Sequence, residues 1–191
     1  MSKQKYHKGI DATQVFEKLC NHVAKNFFGT NSKSLIFGTA ISGSFVDKVK
    51  NLLKNIGEGG VFIDTCNAAT KNDDGIDIVV WKDFSDKKIG KLIGFGQCKT
   101  GTSWRDDIHR LNPTKFIKCW FSGSVILTPI PIIFICDTLI EDMNFFHSQE
   151  GRLFFNRFRL VEYIEKDFME KEIIDEISLW LEGALTELTI N

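Results

Sequence analysis

Little in the composition of this chain advertises a ligand. Lys and Arg total 24 against 25 Asp and Glu, a formal charge of -1. No global basicity marks a nucleic-acid binder, so any such contact must come from local patches. Cysteine is sparse and unpatterned. Cys20, Cys66, Cys98, Cys119 and Cys136 are odd in number and never closer than a long loop apart. Neither a C-x-x-C zinc pair nor a disulfide framework can be read from them. The opening MSKQKYHKGIDATQ lacks the apolar core of a signal peptide, and no apolar run reaches the roughly 18 residues of a membrane span. The expectation is a soluble protein of the reducing cytoplasm with no membrane partner. Internal repeats and low-complexity segments are also missing.

What is present is enough apolar material for one core. With 191 residues, 43% of them hydrophobic, the chain is read as a single domain over 1–191. Val15, Phe16, Leu19, Val23 and Phe27 recur at helical spacing over residues 12–28, and Gly29 stands where a helix stops. The Gly- and Ser-rich stretch after it reads as loop with one short strand. A second helix is expected over 44–56, ending at Gly57. Extended segments follow at about 61–66, 76–82 and 91–98, the last two rich in β-branched and aromatic residues. Ser103 and Asp106 form the pattern of a capping box, and Asn112-Pro113 interrupts the helix they open. Ile132 to Cys136 is apolar without alternation, as in a strand covered on both faces. A short helix near 141–149, a strand-like LFFNRFRLVEYI and an amphipathic helix over 166–188 complete the reading. The stripe from Ile173 through Trp180 to Leu188 is expected to be ordinary core, with a dimer interface as the alternative.

The chemistry concentrates in DDGIDIVVWKDFSDKKIGKLIGFGQCKT, residues 73–100. If its two apolar runs pair as an antiparallel hairpin turning near Lys87, Asp77 lies directly across from Gln97, and opposed residues share a face. Lys99 shares it too, because side chains alternate, while Cys98 points into the other layer. A shift of one residue would separate the aspartate from the pair. A carboxylate, an amide oxygen and a backbone carbonyl are hard ligands suited to Mg²⁺ or Mn²⁺. Such an ion beside a lysine fits phosphodiester hydrolysis. The bland alternative is an amphipathic hairpin with Asp77 after a turn and Lys99 facing water.

The pattern of an aspartate, about twenty residues, then D/E/Q-x-K across a hairpin resembles the PD-(D/E)XK nuclease superfamily. LLKNIGEGGVFIDTCNAATKNDDGIDIVV followed by GFGQCK resembles its Mrr-like restriction endonuclease branch. The resemblance implies an α/β fold with a restriction-endonuclease-like central mixed sheet flanked by helices. It would have an αβββαβ core at about 43–137 and extra N- and C-terminal helices. It also implies catalytic Asp77, Gln97 and Lys99, with metal held by Asp77, Gln97 and the Cys98 carbonyl. The activity implied is a metal-dependent DNA endonuclease in restriction or antiviral defence, with a homodimer or a larger defence complex as partner. The alternatives are an inactive nuclease-fold module, or an RNase or exonuclease. The helix glutamate that family members often carry falls here at Val46. Asp47, Glu58 and Glu17 are the substitutes, and the sequence does not choose among them.

Outside the hairpin, Arg105, His109, Arg110, Lys115 and Lys118 could track phosphates, but a charge cluster on a helix is usually a solvated face. Trp104 reads as core or rim more than as a base-stacking ring. His7, His22 and His147 have no partner at metal-ligand spacing and read as structural or surface residues.

Overall fold

Asp11 starts the first long helix, its side chain accepting from the Thr13 amide. The computed structural model of the protein describes residues 6–38, 41–101, 104–138, 151–164 and 169–190. A small hairpin, β1 (Tyr6–His7) and β2 (Ile10–Asp11), leads into α1 (Ala12–Phe28), which Gly29 ends at φ 76°. Then come β3 (Ser32–Ile36) and α2 (Phe45–Ile56), the latter capped by Ser44 and stopped by left-handed Gly57. The hairpin strands are β4 (Ile78–Lys82) and β5 (Ile93–Lys99). α3 (Trp104–Asp107) and α4 (Pro113–Trp120) precede β6 (Ile130–Ile135), β7 (Leu153–Phe155), α5 (Arg157–Glu162) and α6 (Lys171–Ile190).

β3 to β7 form one mixed sheet in chain order, with β3–β4 and β4–β5 antiparallel and β5–β6 and β6–β7 parallel. Alternation along the strands sorts the core into two layers. Val79, Trp81, Phe95 and Ile133 pack with α2 and α4, whereas Ile78, Val80, Cys98 and Phe134 pack with α1. Each fully buried aromatic or branched side chain contributes about 1.5–3 kcal/mol. On the α1 face β5 carries only glycines at 94 and 96. A Cβ on Gly94 would stand 2.6 Å from Ile132 and 2.9 Å from Phe28. Their absence lets α1 lie close against the middle of the sheet.

Several expectations need correction. Residues 61–66 are not a strand of the sheet. They make one isolated bridge, Phe62 to Phe121, and are tied to α4 by a Cys66–Cys119 disulfide that the scattered cysteines did not betray. Positive φ at Gly59 and Gly60 (89° and 80°) turns the chain away there. The strand missing from 61–66 is supplied earlier, by Ser32–Ile36, so α1 underlies the sheet rather than extending it. The LFFNRFRLVEYI segment splits, because Asn156 caps a helix after only three strand residues. The expected 166–188 helix begins at Lys171. Its stripe is only partly core, with Ile173 buried and Ile174, Leu181 and Leu185 exposed. Ser103, the 141–149 helix and His147 lie outside the described residues. No helix of the described residues is long and apolar enough to cross a membrane.

Candidate active site

The hairpin register is the one expected: Ile78 faces Gly96, Val79 faces Phe95, and the turn passes through Lys87 at φ 54°. The ladder then breaks one step short of Gln97. The Asp77 amide donates to the Gly96 carbonyl at 2.8 Å instead of continuing the regular exchange. The Asp77 carbonyl is taken by the amides of Phe37 and Gly38, at 2.6 and 2.9 Å. With its backbone claimed from both sides, Asp77 sends its carboxylate to the Cys98 amide, which donates to Oδ2 at 2.7 Å. The aspartate therefore caps the end of β5 and faces α1.

There it meets Glu17. A Cβ built on Gly38 would stand 2.8 Å from Asp77 Oδ1 and 2.8 Å from Glu17 Oε2. Both carboxylates thus converge on a glycine that has no side chain to part them. Glu17 is 2% exposed. Burial, followed by the Glu17 and Asp73 charges, pushes the Asp77 carboxyl up to about 7; the Cys98 amide and Lys99 work in the opposite direction. Two acids confined in this way favour a proton or a cation between them.

The other two substitutes for the helix glutamate are engaged elsewhere. Glu58 accepts from the amides of Gly90 and Lys91 and braces the hairpin turn. Asp47 accepts the Ser44 hydroxyl in the cap of α2. Glu17 was legible only as one of three acids because the position is counted back from Gly57, at the end of α2, whereas Glu17 stands on α1.

Gln97 is 3% exposed, and alternation places it on the Phe95 and Ile133 face, opposite Cys98. Its Oε1 is buried without a hydrogen-bond partner. Lys99 ends β5 with its side chain 20% exposed and its Nζ 3.6 Å from Asp107 Oδ2. Asp107 also holds Arg110, at 3.0 Å. Beneath the carboxylates the Cys20 and Cys98 thiols adjoin, and burial raises both above the ordinary thiol range, leaving them protonated.

Trp104 is core, 2% exposed, with its indole N–H on Asp137 and Arg105 lying 4.3 Å above its ring. Arg105, His109, Arg110, Lys115 and Lys118 are exposed. His7 is buried against Trp180 and Glu187, and His22 bonds the Ile164 carbonyl, both structural positions.

No family model and no curated protein matches the sequence. Among solved structures, the MspJI restriction endonuclease in complex with a 27-mer oligonucleotide aligns with a TM-score of 0.48 and 12% identity. The alignment covers 90% of this chain and 32% of that one, so the chain spans about a third of that protein's length.

Proposed function

We propose that the protein is a metal-dependent nuclease that hydrolyses DNA phosphodiester bonds. On this reading its mixed sheet is of restriction-endonuclease type, and its setting is restriction or antiviral defence. The observation that carries the reading is the convergence of Glu17 and Asp77 on Gly38, beside the end of the strand that bears Lys99.

The donor set suits a hard divalent ion. Asp77 and Glu17 offer carboxylate oxygens and the Cys98 carbonyl adds a neutral one, while burial first, and the Glu17 and Asp73 charges after it, raise the Asp77 pKa. Gln97 stands on the other face of β5 from these oxygens, its Oε1 unmatched among the described residues. A bound Mg²⁺ or Mn²⁺ would polarise a phosphate and lower the pKa of a coordinated water. The remaining work falls to the chain. The Cys98 amide orients Asp77, Gly38 leaves room for both acids, and Lys99 supplies positive charge where phosphorane oxygens develop. Lys99 reaches that position by exchanging Asp107 for substrate.

The test is incubation of the purified protein with supercoiled plasmid, linear DNA and RNA, each in EDTA, Mg²⁺ or Mn²⁺. Metal-dependent nicking that Asp77→Asn abolishes is expected. Cleavage confined to RNA would transfer the mechanism to that substrate, and no cleavage with any metal would reduce the chain to a nuclease-fold binding module.

A further inference from the structure

We infer that two copies of this chain pair through the free edge of β3 to form a continuous sheet. Among the described residues β3 is a terminal strand of the sheet, bonded to β4 on one side only. The register says which of its groups are unused. The Asp83 amide donates to the Asn31 carbonyl and the Phe37 amide to the Asp77 carbonyl, and Lys33 and Leu35 stand opposite Trp81 and Val79. Odd-numbered residues therefore spend their backbone groups on β4, and Ser34 and Ile36 turn theirs outward. The Ser32 amide is already held by the Gly29 carbonyl, which leaves its carbonyl outward.

That edge opens on a groove of about 890 Å³ between β3, α1 and the start of α6. Two buried polar atoms of its lining, Trp81 Nε1 and Asn21 Oδ1, have no hydrogen-bond partner among the described residues. The charges are polarised along it. Lys25 and Lys33 stand near Ser32, whose hydroxyl bonds the Lys25 carbonyl. Toward Ile36, Lys18 is outnumbered by Glu172 and Glu176, at 3.3 and 2.6 Å.

An antiparallel copy centred on Ser34 satisfies these features together. The two Ser34 residues exchange amide and carbonyl, and each Ile36 amide meets the partner's Ser32 carbonyl. The basic end of one groove then faces the acidic end of the other. A lysine in the middle of an edge strand ordinarily guards against such pairing. Here Lys33 is drawn back onto its own sheet by Asp83 at 2.7 Å.

Sedimentation equilibrium in EDTA, without nucleic acid, tests the pairing independently of any nuclease activity. The wild-type chain is expected to be a dimer at tens of micromolar. Ser34→Pro removes an outward amide that its own fold does not use, so it should sediment as a monomer with unchanged circular dichroism. Ser34→Cys should form a disulfide-linked dimer on mild oxidation, since directly opposed residues of a hydrogen-bonded antiparallel pair lie ~5.5 Å apart at Cα. The wild type, with its native cysteines, should not. A monomeric wild type at 100 µM overturns the inference. A dimer that survives in folded Ser34→Pro overturns it as well, and should Ser34→Pro fail to fold, absence of the Ser34→Cys crosslink does the same.

Discussion

Glu17 and Asp77 converge on Gly38, each with a carboxylate oxygen 2.8 Å from where that residue's Cβ would be. One comes from a helix near the start of the chain and the other from the mouth of a hairpin. The first prediction concerns which acids would hold the cation of the proposed site. Glu17→Gln and Asp77→Asn should each weaken Mn²⁺ binding by tenfold or more in calorimetry, as expected for removal of one charge from a buried oxygen site. Asp47→Asn should leave it unchanged. Glu58→Gln should lower stability by about 1–3 kcal/mol, because it weakens the acceptor of two hairpin amides, without changing the metal affinity. Equal affinities across all four variants would remove Glu17 and Asp77 from the site.

Gly38→Ala should be as damaging as loss of either acid. Its Cβ would lie 2.8 Å from both carboxylate oxygens, closer than carbon tolerates, so one of them must turn away. Cleavage and Mn²⁺ affinity should fall together while the melting temperature moves much less. A Gly38→Ala protein with wild-type affinity would show that the two acids do not act on a common ion.

The raised pKa of Asp77 sets a pH dependence of defined sign. Folded, the group titrates at about 7, against an ordinary 3.8. Its contribution to stability is therefore fully present below pH 3.8 and is lost as pH rises through 7. In EDTA, the urea midpoint of the wild type should fall between pH 5 and pH 8 relative to Asp77→Asn. Mn²⁺ affinity should rise over the same interval, because the ion displaces the proton. Parallel urea curves for the two proteins would mean that Asp77 is ionised throughout.

On the proposed mechanism Lys99 would act on the reaction rather than on the ion, since a protonated amine has no lone pair to donate. Lys99→Ala should retain metal affinity and lose cleavage by at least ~10², the usual cost of removing a positioned charge stabiliser. Lys99→Arg should not restore it, because a planar fork does not place charge at the same point. Asp107→Asn frees Lys99 from its resting partner and should change KM more than kcat. Plasmid nicking by Lys99→Ala at the wild-type rate would assign the activity to another site.

Gln97 offers the sharpest test of the neutral ligand. Gln97→Glu should tighten Mn²⁺ binding through its added charge, and Gln97→Leu should weaken it. If Gln97→Glu instead only destabilises the fold, as an unpaired buried carboxylate does, residue 97 serves the Phe95 layer and not the ion.

The local elements were legible because local chemistry dictates them. The Gly29 and Gly57 stops and the hairpin register about Lys87 all follow from residues within a turn or a strand of one another. What escaped was set at a distance. Residues 61–66 have the composition of a strand, but Gly59 and Gly60 steer them to α4, where Phe121 and Cys119 hold them. The short strand expected in the Gly- and Ser-rich stretch is Ser32–Ile36, but its place at the edge of the sheet, paired with β4, was not legible.

By itself, then, the sequence determined α1, α2, the central hairpin and the placing of Asp77 and Lys99 at its open end, since periodicity and turn chemistry act over a few residues. Only the tertiary structure decided that Glu17 meets Asp77 at Gly38 and that Asp77 turns to it instead of facing Gln97. Those outcomes depend on α1 lying against glycines 94 and 96 and on Phe37 and Gly38 claiming the Asp77 carbonyl, contacts between segments that no local pattern connects.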